Sequence, residues 1–391
     1  MAVVSGYRST NTVESTILAR DIQAQINEYD KNITPLVVLA EKMGGGARVT
    51  HNPKFEWYEE DRETRRDTTT TTGTGTTVAV SDGTLFNAND IWRVTRTGEG
   101  LRVVSISSNN LTVRRGTDVN PDAAVALVSG DELIKVGTAK MEGDTSVTAI
   151  SGNPTAKYNY TQIFERTVAE TGTMMNTDTY TQPGDWEFRK RRMIQEYKID
   201  QEAAYLWGPG VALYTGGTHP ERVSRGVVDS ITTNVTDFGG TLTEAEFFSK
   251  FNVAFRYGGK SKFGLSGRTP VDVISGFSRG KLEVIQGDND TTYGLDVMKF
   301  RHAHGILNLI THNLFETSTS SYFSQVLILD VAGDGSNGTL VRRVYLQNRD
   351  TAIKENVQEN DRDGRKDLIR GECSIQLGLE KSHALWDNIE G

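Results

Sequence analysis

The sequence predicts an α+β protein, with strands and sharp turns over most of its length and one long helix standing alone among them. Two observations carry this. Glycine is abundant (39 residues) while proline is scarce (8), a balance that suits a chain with many reversals rather than a proline-stiffened linker. Residues 183–207, in contrast, read as unbroken helix. Pro183 suits an early helical position, where its missing N–H has no partner to lose, Asp185 offers a capping carboxylate, and Glu187 places negative charge in the first turn. Gly208-Pro209-Gly210 stops the helix. At 1.5 Å per residue the segment would run roughly 35 Å. Trp186, Met193, Tyr197, Ala204 and Trp207 recur near helical spacing and predict a buried stripe, while Glu187 and Arg191 form an i,i+4 pair in the favourable order. Such a helix reads as a structural strut.

Composition bounds the rest. A chain of 391 residues, 36% hydrophobic, can build one large domain or two to three ordinary ones with real cores. No stretch is long enough to span a membrane, and Met1 to Gly6 lacks the basic and apolar regions of a signal peptide, so a reducing cytosol is the expected setting. The single Cys373 excludes an intrachain disulfide and a cysteine-cluster metal site. A net charge of −8 with a pI near 5.4 argues against a dedicated nucleic-acid reader and leaves room only for weak, nonspecific contact.

Along the chain, residues 1–32 read as an extended arm bearing one helix, marked by Ile17, Leu18, Ile22 and Ile26. Residues 33–72 begin with an apolar segment ended by Gly44-Gly45-Gly46. They continue in a ribbon over 54–59, where Phe55 and Trp57 point one way and Lys54, Glu56 and Tyr58 the other. The threonine run 68–72 reads as a flexible border. Residues 73–141 change to short alternating strands, over 77–80, 90–94, 101–107, 111–115 and 132–136. The stretch 89–94 is echoed by 130–136, as expected of two strands with matching roles in an inserted small β-barrel. In 142–182 a second ribbon over 157–170 is expected to pair with 54–59, and such a bare two-stranded arm is marginal alone. After the helix (183–210), residues 211–338 form a mixed region. It holds a helix over 243–257 carrying Phe247, Phe248, Phe251 and Phe255, a second helix around 276–284, and a strand over 325–331 joined by a glycine-rich turn to another over 339–347. Residues 339–391 return to strands. There Ile369, Cys373, Ile375, Leu377 and Leu379 alternate with Arg370, Glu372, Ser374 and Gln376, predicting one buried and one wet face.

No stretch carries a complete catalytic or ligand-binding pattern. His302 and His304 share a strand face, and His312 follows, but no carboxylate at ligand spacing completes a metal site, so a solvated or packed role is expected. Asp288-Asn289-Asp290 lacks the rest of a calcium loop and reads as an acidic turn. There is no Gly-x-Ser-x-Gly elbow, and Cys373 reads as a small buried hydrophobe. Gly44-Gly45-Gly46-Ala47-Arg48 lacks the Lys-Ser/Thr of a phosphate-binding loop and reads as a hinge. Glu59-Glu60 cannot be set across a cleft from sequence. The cations at 189–192 spread around a helix near Glu187 and Glu196 and read as an ion-pair face. Tyr58, Tyr158 and Tyr160 read as packing residues. No catalytic, cofactor-binding or metal residue is therefore assigned, and no cofactor is expected.

The order of parts (arm, long ribbon with an insertion, solitary helix, mixed domain, returning strands) resembles the major capsid protein fold of tailed bacteriophages and herpesviruses. In that fold the ribbon is the extended loop, the helix is the spine of the peripheral domain, and the mixed region is the axial domain. Four sets of stretches are similar to the branch of phage major head proteins with a small β-barrel insertion: 52–57; 98–103 with 111–116; 160–164 with 168–173; and 365–372. The resemblance implies a structural, non-enzymatic subunit of the virion, assembled in the host cytoplasm, that forms pentamers and hexamers of an icosahedral head enclosing double-stranded DNA. It also implies portal, scaffold and cement proteins as partners, and no membrane. Phe55, Trp57, Tyr160, Ile163 and Phe164 are the expected intersubunit packing residues, since a projecting ribbon would bury its apolar surface on neighbouring copies. Some members of this fold join subunits through Lys–Asn bonds, but nothing in the sequence marks Lys54, Lys140 or Lys157 for this, and no coiled-coil prodomain precedes the arm. Two other readings are a tail or baseplate adhesin, which would show fibre-like repeats, and a strand-rich carbohydrate-active enzyme, which would show a signal peptide or a convergent carboxylate pair.

Overall fold

In the computed structural model, the described residues are 34–390 apart from 44, 62, 121–122, 141, 144–152, 178–184, 214–218, 279–290, 293–294, 297, 316–320 and 334–337. The expected arm helix, Pro183 and Asp288-Asn289-Asp290 lie outside them. The chain divides into two units, Met1–Trp57 with Lys157–Gly391, and Tyr58–Ala156.

In chain order, α1 (Pro35–Lys42), β1 (Arg48–Thr50) and β2 (Lys54–Glu59) come first. The unit Tyr58–Ala156 then holds β3 (Arg66–Thr68), β4 (Thr77–Ala79), β5 (Asp90–Val94), β6 (Gly100–Ser107), β7 (Asn110–Arg114) and β8 (Glu132–Thr138). Next are β9 (Thr155–Tyr160), β10 (Gln162–Thr171) and the long helix α2 (Asp185–Trp207). Strand β11 (Val235–Thr241), helix α3 (Glu244–Ala254), β12 (Ser261–Ser266), helix α4 (Arg268–Ser278), β13 (Met298–His302), β14 (Gly305–Thr311) and β15 (Val326–Leu329) follow. The chain finishes through β16 (Val341–Leu346), β17 (Ala352–Lys354), β18 (Gly364–Leu377) and β19 (Ala384–Glu390).

The larger unit is built on two sheets. In the first, β18 pairs antiparallel with β10, from Gln162 opposite Cys373 to Thr171 opposite Gly364. Its other edge takes β16 and β17, and β1 runs parallel to β16. Helix α2 lays Met193, Tyr197, Tyr205 and Leu206 into a core shared with Phe164, Ile369, Cys373 and Ile375. The second sheet has the order β11-β19-β15-β12-β14-β13. Its inner strands β12, β14 and β15 are buried on both faces, and the two-residue period sends alternate side chains into different surroundings. Leu327 and Leu329 of β15 join the core beneath α2, while Val326 and Ile328 join a second core with Phe247, Phe251 and Trp386.

Helix α3 starts at a capping box, in which the Thr243 hydroxyl accepts the Glu246 N–H and the Glu246 carboxylate accepts the Thr243 N–H. At its far end the buried Lys262 Nζ donates to the carbonyls of Ala254, Tyr257 and Ser382, each at 2.7 Å. Burial pushes Lys262 down to about 8, opposed by the Asp330 carboxylate. Thr243→Ala should lower stability by about 1 kcal/mol through loss of the cap, and urea unfolding of the full-length chain would measure it.

The unit Tyr58–Ala156 forms a six-stranded antiparallel sheet of order β3-β8-β5-β6-β7-β4 around Trp92, Leu101, Leu111, Leu127 and Leu133. Thr69 bridges Val80, and the Thr70 N–H donates to the Ala79 carbonyl, so the two edge strands meet. Beneath the loops, Arg115 donates to both oxygens of Glu99 at 3.0 and 2.7 Å, and the same carboxylate accepts the N–H groups of Gly116 and Val125. The repeated stretches 89–94 and 130–136 fall on β5 and β8, which pair with each other.

Several expectations are corrected here. The second ribbon is not one strand. It breaks at the buried Thr161, whose hydroxyl donates to Glu372 at 2.8 Å, so β9 pairs with β2 while β10 pairs with β18. The threonine border is structural, because Arg66–Thr68 is a strand paired with β8 and Thr69 is buried. Strands β15 and β16 do not form a hairpin but enter different sheets, β15 between β12 and β19, and β16 between β1 and β18. A helix spans Arg268–Ser278 and buries Ile274, whereas residues 279–284 of the second expected helix lie outside the described residues. The wet face of β18 is not wet, since Glu372, Ser374 and Gln376 are buried against Arg349, Ser224 and Arg48. Finally, β19 leaves the returning strands and joins the second sheet beside β11 and β15.

Candidate functional site: the long helix and the paired ribbon

Helix α2 is anchored along its whole length. Met193 and Tyr197 are buried, Tyr197 meeting the edge of Phe164 at 6.3 Å between ring centroids. Trp207 is partly buried, tilted against Phe315 at 5.6 Å and Tyr322 at 4.9 Å, and Ala204 packs on the same core. At the other end the Arg365 guanidinium lies 4.9 Å above the Trp186 ring. Glu187 and Arg191 are exposed. In the basic run, Arg189 pairs with Glu170 at 3.1 Å, and Lys190 bonds to Glu355 and faces Asp367 at 3.6 Å. The Glu355 bond raises the Lys190 pKa, with charge from Asp367 and Glu187 adding to it. Arg166 of β10 forks onto Asp200 at 2.6 and 2.8 Å, which raises its pKa in turn.

The most consequential side chain of α2 is one that sequence reasoning missed. Glu202 is fully buried and accepts the N–H groups of Leu36 and Val37 in the first turn of α1, both at 2.7 Å. His312 Nε2 lies 2.7 Å from the same carboxylate, and its Nδ1 accepts the Leu314 N–H. Since Nδ1 accepts, Nε2 carries the proton and donates to Glu202. One carboxylate thus joins α1, α2 and the end of β14. The available signal was positional, as Glu202 stands one helical turn before Leu206 on the face that the apolar stripe occupies.

The ribbon β2–β9 divides its aromatic residues. Phe55 is buried, and Trp57 stacks beside it at 5.9 Å but stays partly open. Tyr58 is 73% exposed. Tyr158 and Tyr160 meet edge to face at 5.7 Å, with Lys54 4.5 Å over the Tyr158 ring and paired to Glu56. Ile163 is 54% exposed, whereas its neighbour Phe164 is buried under Tyr197 and Tyr205. Of the five expected packing residues, Phe55 and Phe164 are already covered within the chain, and Trp57, Tyr160 and Ile163 keep open surface.

The three candidate metal ligands do not converge on one point. His312 belongs to the Glu202 cluster, while His302 and His304 lie at the β13–β14 turn. Cys373 is buried and receives a hydrogen bond from Arg343 at 3.0 Å, and burial pushes its thiol pKa up, which makes it an inert packing residue. Among the described residues no helix is long and apolar enough to cross a membrane.

Comparison with known proteins agrees with this architecture. The sequence profile of the SU10 major capsid protein family matches residues 5–390. The major capsid protein of Pseudomonas phage PaMx41 is 30% identical over 156 residues, which is 40% of this chain and 36% of that protein, so the match spans about a third of the relative's length. Among solved structures, the capsid of an empty GTA particle superposes over 98% of both chains with a TM-score of 0.50 at 6% identity. A Microbacterium phage Oxtober96 chain covers 96% of this one and 97% of its own length, with a TM-score of 0.46 at 10% identity. The fold is that of tailed-phage capsid proteins, and the match over nearly every residue places the chain in the SU10 major capsid protein family.

Proposed function

We propose that the protein is a shell subunit whose copies associate into pentamers and hexamers and close into the icosahedral head of a tailed phage around double-stranded DNA. Beyond the family, the observation that carries this reading is the ribbon. Among the described residues β2 and β9 have no third strand, and a two-stranded ribbon is marginal by itself. Trp57, Tyr58, Tyr158, Tyr160 and the nearby Ile163 keep apolar surface open that a neighbouring copy would cover. In this reading 1–32 is the arm, α2 with the first sheet is the peripheral domain, and the second sheet is the axial domain. The unit Tyr58–Ala156, whose edge strands meet at Thr69 and Val80, is the inserted small barrel. The role is structural rather than enzymatic. The subunit resides in the virion and is assembled in the host cytoplasm, with portal, scaffold and cement proteins as partners. A net charge of −8 keeps its contact with packaged DNA weak.

Negative-stain microscopy of the expressed chain tests the reading. Hollow shells or rings of five and six are expected, and a persistent monomer at high concentration would refute it. Ile163→Asp places a charge on a solvent-facing position of the subunit. It should leave the far-UV circular dichroism unchanged and raise the concentration needed for assembly about 30-fold, the equivalent of a 2 kcal/mol interface contact. Unchanged assembly would remove this surface from the interface.

A further inference from the structure

The hairpin joining β13 to β14 carries two imidazoles that the shell function does not use. His302 pairs across the ladder with Gly305, so Ala303 and His304 form a two-residue turn. The turn is tightly held, since a Cβ on Gly305 would lie 2.4 Å from the Phe255 ring and 2.6 Å from the Lys260 carbonyl. The His302 ring is also fixed, stacked on Phe248 at 5.2 Å and set edge-on to Phe251 at 5.2 Å. The two histidine rings stand 5.1 Å apart between centroids, tilted by 36°. Two imidazoles bound to one zinc ion through Zn–N bonds of about 2.0–2.1 Å at a near-tetrahedral angle have their centroids about 5 Å apart.

We propose that His302 and His304 form a chelating pair for a divalent transition-metal ion of the zinc class. Two further observations support it. The Nδ1 atom of His302 is shielded from solvent and meets no hydrogen-bond partner, a condition that a bound cation relieves. His304 is exposed, which gives the ion a path from solvent. Among the described residues no group of three histidine, cysteine or carboxylate side chains gathers at metal-binding distance, so water completes the coordination. Imidazole ligands select zinc, copper or nickel over magnesium and calcium.

Calorimetric titration of the chelator-treated full-length chain with zinc chloride at pH 7.5 tests this. One equivalent of zinc should bind per chain, with magnesium and calcium producing no competing signal. His304→Ala, at an exposed turn position, should weaken binding at least about tenfold, the scale on which ligand-shell changes act. His302→Phe, which keeps a ring on Phe248 but removes both nitrogens, should do the same. Absence of zinc binding, equal binding by the wild type and both variants, or effective competition by magnesium or calcium would each overturn the assignment.

Discussion

Glu202→Ala is expected to destabilise the full-length chain by about 3–5 kcal/mol, the range in which removing one partner of a buried polar cluster falls. The carboxylate accepts from Leu36 N–H, Val37 N–H and His312 Nε2–H, and all four residues are fully or almost fully buried. Truncation leaves these donors without an acceptor, and each buried orphan costs about 1–3 kcal/mol before any relaxation. The loss is also topological. The carboxylate ties the first turn of α1 to α2, and an eight-residue helix has too little intrinsic stability to persist once its first-turn donors are released. Glu202→Gln keeps one carbonyl acceptor but turns an amide NH2 toward another donor, so its cost should be intermediate. His312→Ala removes only one of the three donors and should cost less than Glu202→Ala. Urea unfolding of the three variants checks the order, and a Glu202→Ala cost below about 1 kcal/mol would show that water or backbone relaxation replaces the carboxylate.

What the sequence made legible was local. The long helix was readable because its stripe and its Gly208-Pro209-Gly210 stop all lie within one segment, and α3 because Phe247, Phe248, Phe251 and Phe255 recur along one short stretch. The echo of 89–94 in 130–136 fell on two strands that pair, since matching alternation in one sheet reflects matching faces. The order of the elements was enough to reach the capsid fold. What remained hidden depended on partners remote in the chain. Strands β9 and β10 alternate alike, and nothing nearby says that Gln162 will lie opposite Cys373. The glycine-rich turn after β15 looks like a hairpin, yet Leu327 pairs with Leu265 and Leu385, so β16 is free to enter another sheet. Alternation along β18 correctly separated two faces but could not reveal that Ser224, Arg48 and Arg349 cover the polar one. The same limit applies to the packing candidates. Phe164 and Ile163 are adjacent aromatic and aliphatic residues, and only the presence of α2 above one face decides that Phe164 is core and Ile163 is surface. Glu202 was hidden for a related reason, because a carboxylate on an apolar stripe is legible only as an exception, and its meaning depends on α1 and His312.

Acid should unfold the protein partly through His383, which contributes about 3 kcal/mol to the pH dependence of stability. The ring is fully buried, its Nδ1 accepts the Asp330 N–H at 3.1 Å, and its Nε2–H donates to the Gly378 carbonyl at 3.0 Å. One nitrogen must therefore remain an acceptor, and protonating it breaks the bond to Asp330 as well as burying a charge. Burial pushes the pKa down from 6.5 to about 4; the charge of Lys262 lowers it further, while the Gly378 bond and Glu380 oppose this. The unfolded chain takes up this proton near pH 6.5 and the folded chain only near 4, so the unfolded state binds more protons between those values. Stability is then fully present above pH 6.5 and declines as pH falls toward and through 4, by about 1.4 kcal/mol for each unit separating the two pKa values. Carboxylates as a class begin to take up protons at the acid end of this window, so the informative quantity is a difference. The wild type should lose about 3 kcal/mol more than His383→Asn between pH 7 and pH 4, measured by urea unfolding at each pH. Parallel curves would exclude His383 as an acid-sensitive group. The effect should be felt first at β19, because His383 immediately precedes that strand, and the preceding carbonyl, Ser382, is one of the three that hold buried Lys262.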